Sequence, residues 1–365
     1  MARFLTCRKS QKEKFDYKTL RGVFALRHKD YRKLNFILAE IPFFQDNPAG
    51  ILAAVGSMLC IGLADSFWKI PTQVFGAART IFFRSFFVLL VVLPYYFFSE
   101  KKTYLSTDAV LATLGISVLA YLGLYFFARA MRSGLTSVVV PVTASNTLFT
   151  LLLHIFTLDN ATMNPAAAAG LVLTLLGLGL LKFNWRAGRL DLAVLKEGGL
   201  RFALLAAVFL GLSIGYAWFA VTFVGPPLFS LIQESVILLL AGVHSFCYNC
   251  YNFRSENHFL KRMGIFEPCE PESRFRWTLT LQWRQNLFYL ALIGILGSLG
   301  SVFRTIALDK ASINTVTGIV VVAPVISVFF GRLYYGERLS AQQMLAIFLI
   351  IAGVYGISYF RYYSF

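Results

Sequence analysis

Between Ile306 and Tyr359 lie two long apolar runs, Thr315–Tyr335 and Ala341–Tyr359, and their length narrows the fold at once. Each is close to the ~20 residues that a helix needs to cross a bilayer. Only Gly336-Glu337-Arg338-Leu339-Ser340 separates them, so the two runs must form an antiparallel helical hairpin. Pro324 interrupts the first helix, because proline has no amide hydrogen to give. Gly353 lets a neighbour approach the second closely.

The rest of the chain has the same character. Of its 365 residues, 57% are hydrophobic and 14% charged, with a mean hydropathy of +0.65. Soluble domains carry about 25% charged residues, so this is the composition of a polytopic membrane protein. The 36 Phe and 17 Tyr suit lipid-facing and interfacial positions. A formal net charge of +16 raises the question of nucleic acid. Here the charge lies in a tail and in loops around apolar spans, so the expected partner is the lipid bilayer and not nucleic acid. Five cysteines (Cys7, Cys60, Cys247, Cys250 and Cys269) are too scattered for a disulfide framework. No cleavable signal peptide is visible, since the first apolar run begins near Pro48. The first membrane helix is expected to act as the targeting signal.

Residues 1–48 form a basic tail with eleven Lys and Arg against five acids. It reads equally as a solvated cytosolic tail or as one lying partly on an anionic leaflet, through an amphipathic patch around Leu34–Phe44. Ten spans are predicted after it: 49–69, 79–98, 108–130, 135–157, 164–183, 202–224, 227–250, 286–308, 312–335 and 341–361. They divide five plus five, into a first repeat at 49–183, a linker at 184–201, and a second repeat at 202–361 that contains a long loop, 251–285. Adding 177 carries Ala130 to Ala307 and Ser137 to Asn314, and adding 176 carries Gly177 to Gly353. Adding 150 carries Trp68 to Trp218 and Arg84 to Glu234. An odd number of spans per half makes the halves run in opposite senses.

The order Ala…Ala…Pro324…Gly336-Glu337-Arg338-Leu339-Ser340…Gln…Ala-Gly353 resembles the end of an EamA-type repeat of the drug/metabolite transporter superfamily. Two such units would cover about residues 50–360. The first departs from the pattern, with Leu158-Asp159-Asn160-Ala161-Thr162 in place of the GERLS loop. The resemblance implies an all-α integral membrane fold of ten helices in two inverted five-helix repeats. It also implies cytoplasmic termini; the Lys and Arg balance alone, fifteen inside against fourteen outside, scarcely chooses. The expected membrane is a bacterial inner membrane.

Ionisable side chains at membrane depth are functional candidates. Arg84 and Glu234 lie well inside their spans, at matching places in the two halves. Arg84 suits a carboxylate or phosphate group of a substrate. Glu234 suits a cation, an amine or a coupling proton, and Gln233 beside it joins the binding set. The bland reading is that the two charges pair as a buried strut. Asp65 precedes Lys69 by four residues on one helix face, either as a coupling or gating pair at a cavity mouth or as a structural pair. Ser145 and Asn146 follow Pro141, and Asn314, Thr315 and Thr317 precede Pro324, where polar groups line a cavity or bond helix to helix. Tyr121, Tyr125, Tyr216 and Trp218 line the cavity or simply pack, and Arg304 faces the site or snorkels.

His244, Cys247 and Cys250, with His258 and Cys269 beyond, are ligand types that suit zinc, but their spacing matches no common module, and neither a metal nor another cofactor is expected. Signatures of serine hydrolases, Walker phosphate loops, zincins and dinucleotide-binding folds are absent from the sequence. The reading is secondary transport of a small polar metabolite, such as an amino acid or a nucleotide-like compound, with a homodimer as an expected partner arrangement. A membrane enzyme with its site in 244–269, and a non-transporting scaffold, are the alternatives.

Overall fold

In the computed structural model the described residues are 47–98, 107–157, 165–181, 183–184, 189–190, 198–251, 281–311 and 313–360. The basic tail, loop 252–280 and residues 158–164 lie outside them. Among the described residues there are thirteen helices. The first repeat holds α1 (Pro48–Phe67), α2 (Lys69–Phe75), α3 (Ala77–Phe98), α4 (Thr107–Ser133), α5 (Thr136–Ala144), α6 (Asn146–Thr157) and α7 (Pro165–Leu180). The second holds α8 (Gly198–Val224), α9 (Pro226–Tyr251), α10 (Leu281–Lys310), α11 (Ile313–Val320), α12 (Ala323–Tyr334) and α13 (Ala341–Phe360). Between them, the two-residue strands β1 (Phe183–Asn184) and β2 (Arg189–Leu190) pair antiparallel.

Nine of the described helical segments are long and apolar enough to cross a membrane. The fifth expected span is shorter: α7 has 16 residues and so extends about 24 Å, short of a ~30 Å hydrocarbon core. Three spans are broken, each near a proline. Pro71 cannot bond back to Phe67, and the chain turns at Trp68 between α1 and α2. Pro141 sits inside α5, and the turn that follows closes at Ser145, whose Oγ donates to the Val142 carbonyl at 2.6 Å. Pro324 opens α12, and the tighter bond from Val322 N to Ile319 O at 3.2 Å marks the break from α11.

The helix pairs repeat. Helix α4 packs on α8 as α10 packs on α1, α9 packs on α4 as α10 packs on α3, and α6 packs on α8 as α12 packs on α1. The pairs α3–α9 and α7–α13 are each their own counterpart. Close approaches at glycine set the register residue by residue. A Cβ on Gly177 would lie 2.8 Å from Ala346 O and from Ile350 N, and one on Gly353 would lie 2.5 Å from Gly170 O and from Thr174 N. Adding 176 turns one set into the other. A Cβ on Gly211 would lie 2.5 Å from Asn146 O, and one on Gly62 would lie 2.7 Å from Ala323 O. Here adding 177 carries Asn146 to Ala323, and adding 149 carries Gly62 to Gly211. Packing therefore aligns α1 with α8 at an offset of 149, one less than the tryptophan match suggests, and places Ala217 opposite Trp68. The cause is steric: backbone contact at glycine fixes helix rotation, whereas an indole tolerates a shift of register.

Candidate functional site

Helices α3 and α9 exchange with each other under the internal symmetry, so matching residues on their facing sides meet. Arg84 and Glu234 do. Arg84 Nη1 donates to Glu234 Oε1 at 2.9 Å and Oε2 at 2.8 Å, and Ser85 Oγ donates to Oε2 at 3.2 Å. Both charged side chains are 13% exposed. Removing one partner of such a pair leaves a desolvated charge and costs about 3–5 kcal/mol. A single guanidinium nitrogen carries both bonds. Among the described residues, Nη2 and Nε of the fork make no hydrogen bond, and Nη2 points towards Gly297, whose added Cβ would lie 3.8 Å away. Asp65 is half-buried in α1 and makes no hydrogen bond or ion pair with Arg84 or Glu234 among the described residues. The charged pair is contributed by α3 and α9.

The pairing of Asp65 with Lys69 does not form. Lys69 Nζ instead binds Glu337 Oε1 at 2.8 Å and lies 5.0 Å from the centre of the Tyr335 ring. The helix break at Trp68 separates Asp65 from Lys69, and Glu337 offers a carboxylate that is already held in place. It accepts from Thr136 N at 2.8 Å, from Ser137 N at 2.9 Å and from Ser137 Oγ, so it caps the N-terminus of α5. Burial pushes the Glu337 carboxyl upwards, but the bonds from Lys69, Ser137 and Thr136 outweigh it and hold the group below the usual carboxylate range. Gly336 takes a φ of +63°, which lets the loop turn back. Sequence reasoning used this loop to define a hairpin and did not nominate Glu337. The acid itself was the available signal; its partners lie 200 and 268 residues away.

The remaining candidates are dispersed. Gln233 is half-buried and makes no hydrogen bond to Arg84 or Glu234. Ser145 is buried at the α5–α6 break, and Asn146 opens α6 with its Oδ1 accepting from Thr147 Oγ1 at 3.3 Å. Tyr125 is buried against His244, with ring centres 4.8 Å apart, and the Tyr121 hydroxyl bonds His244 Nδ1. Arg129 extends this cluster, 4.2 Å from the Phe202 ring centre. Tyr216 and Arg304 are exposed. The side chains of Trp218, Asn314, Cys247 and Cys250 lie outside the described residues, as do His258 and Cys269 entirely. Among the described residues, no three His, Cys, Asp or Glu are grouped as metal ligands. A shallow cavity of about 450 Å³ opens beside Glu337, lined by Arg332, Gly336, Arg338 and Leu339.

Twenty-two chains of solved structure match this fold. One, described only as a crystal structure of a protein, superposes with a TM-score of 0.52 at 15% identity, over 86% of this chain and 98% of that one. A likeness at that identity speaks to the fold alone. A comparison with curated proteins gives no match. The sequence model of the EamA-like transporter family matches twice, over residues 48–183 and again over 197–359. With both repeats of that family spanning most of its length, this integral, multi-pass membrane protein belongs to the EamA-like transporter family, within the drug/metabolite transporter superfamily.

Proposed function

We propose that the protein is a secondary-active transporter of a small polar metabolite and works by alternating access rather than by catalysis. In this reading it has ten membrane helices in two inverted repeats, with α7 as the short fifth, and it sits in a bacterial inner membrane with both termini cytoplasmic. The observation that carries the proposal is the Arg84–Glu234 pair. It joins symmetry-related helices of the two halves at mid-span, where inverted-repeat transporters hold their substrates.

The geometry suggests how binding works. Glu234 occupies one nitrogen of the Arg84 fork and leaves two for an anionic group. A substrate carboxylate or phosphate that takes the whole fork displaces Glu234. The freed carboxylate must then accept a proton or an ammonium group, since a lone charge there is costly. An amino acid supplies both signs at once. Asp65, half-buried in α1, is the second acid available to take up the proton.

Counterflow in liposomes tests this. Purified protein is loaded with a pooled panel of amino acids, nucleotides, sugars and organic cations, each with a labelled counterpart outside. Saturable exchange of one class is expected, falling at least ~10-fold in Glu234→Gln, equivalent to about 1.4 kcal/mol. Exchange untouched by Arg84→Lys and Glu234→Gln removes the site. No exchange of any class by folded protein removes the function.

A further inference from the structure

The internal symmetry fails at the α5–α12 contact. Helix α5 packs closely against α12, and their counterparts under the repeat are α11 and α6, which share no comparable contact among the described residues. Helix α13 likewise packs on α5, α6 and α11, whereas α7 has no comparable contacts with α11, α12 or α5 among the described residues. Among the described residues, the end of the bundle that holds the α5 N-terminus and the α12 C-terminus is therefore the more closely joined one.

That end is also where the Glu337 cluster lies. One carboxylate, 3% exposed, ties three separate elements: Lys69 at the start of α2, the first amides of α5, and the α12–α13 loop. Tyr335 adds a further bond across the same gap, donating from its hydroxyl to the Ser66 carbonyl at 2.9 Å. Gly331 is what admits α5 to this position; a Cβ there would lie 2.8 Å from Glu337 Oε2 and 3.2 Å from Ser137 N. The opposite end has no matching base. At an offset of 149 or 150, Lys69 falls on Trp218 or Phe219, and α8 holds no Lys or Arg after Arg201.

The geometry points to Lys69–Glu337 as a latch: a gating ion pair that holds the transporter closed at the α5–α12 end, with no equivalent at the α6–α11 end among the described residues. The inference rests on the alternating-access reading, since a gate has meaning only in a molecule that opens at both ends in turn. Lys69 and Glu337 act by position and need not touch the transported molecule. Releasing the latch requires the Lys69 ammonium and the α5 amides to part from the carboxylate together. The resting protein is therefore biased towards the state open at the far end.

Thiol labelling reads the latch without any substrate. Ser66 is fully buried one turn before Lys69, so Ser66→Cys, in protein whose native cysteines are replaced by serine, reports opening of that end. The probe is a membrane-impermeant maleimide. Labelling should be slow with the latch intact and at least tenfold faster with Lys69→Met. Gly331→Ala, which crowds Glu337 without removing a charge, should accelerate it as well. Thr174→Cys, buried between α7 and α13 far along the chain from the latch, serves as the reference. Unchanged Ser66→Cys labelling in either variant overturns the latch. So does faster labelling of Thr174→Cys by the same factor, because that outcome means general loosening. Absence of counterflow, by contrast, sinks the transport reading and leaves the labelling result standing.

Discussion

Lys69, at the α1–α2 break, reaches a buried glutamate on the far hairpin, while the matching stretch of α8 presents Trp218 and Phe219 and runs on as one helix. At the level of backbone the two halves are close copies: Gly177 and Gly353 meet matching neighbours, and Gly62 and Gly211 do the same. At the level of charge they are not. The small residues that allow helices to approach are present in both halves, whereas the Lys69–Glu337 ion pair joins the halves at one end of the bundle. A scaffold with two similar halves has two similar ways to close. In the proposed alternating-access cycle, charges added to one side remove that degeneracy and bias the resting state, since a ligand or a bond shifts an equilibrium only through its difference between the states.

The sharpest way to break the comparison is to attack what the halves share. Gly177→Val places its Cβ against the backbone of α13, which cannot step aside, whereas Gly179→Val on the same helix meets nothing within 4 Å. The first should abolish monodisperse protein in size-exclusion chromatography, and the second should leave it unchanged. Matching damage from Gly353→Val would confirm that the contact is symmetric.

Next in size is the pair on the symmetry axis. Arg84→Ala and Glu234→Ala should each destabilise by about 3–5 kcal/mol, and the double variant by clearly less than their sum, because the second change removes the charge that the first left bare. Thermal unfolding in detergent measures the cycle. Additive losses would mean that the pair is not coupled.

The latch should count for less. Lys69→Met leaves Glu337 bound to the α5 amides, so a loss of about 1–3 kcal/mol is expected, the range for one charged hydrogen bond. Glu337→Gln should cost more, because it also weakens the cap on α5. An equal or greater loss from Lys69→Met would put the weight on the lysine instead.

The smallest effect is one of pH. The Glu337 carboxyl is held below its usual range, so its contribution is complete above about pH 4.5, the unfolded value, and is lost as pH falls through the lower folded value. The charged and titratable groups around it are Lys69 and Tyr335, with Arg332 and Arg338 across the cavity. Melting temperature should be flat from neutral pH to about 5 and fall below that, and Glu337→Gln should flatten the acid limb. A fall of the same size in the variant would assign the acid sensitivity to other carboxylates.

Much of this was legible along the chain. Apolar run length, short joints and the prolines at 141 and 324 are local properties, and local hydrogen-bonding rules turn them into spans and breaks. The candidate acid and base at 84 and 234 were legible as well, because a charge inside an apolar run is costly enough to stand out. Their pairing was foreseen only as the alternative to a substrate role, and the structure shows the pair made with part of the arginine fork left over. The Asp65–Lys69 pair misled, since spacing of four residues says which side chains share a face and not which partner lies across the gap. Glu337 passed unnoticed because a loop acid looks solvated until the elements that bury it are brought together.

The amino-acid order by itself determined a polytopic helical membrane protein in two related halves, because hydropathy, proline and glycine act over a few neighbouring residues. Only the tertiary structure decided the register of α1 on α8, the partner of Lys69 and the end at which the bundle is joined. Each depends on atoms far apart along the chain that packing brings into contact.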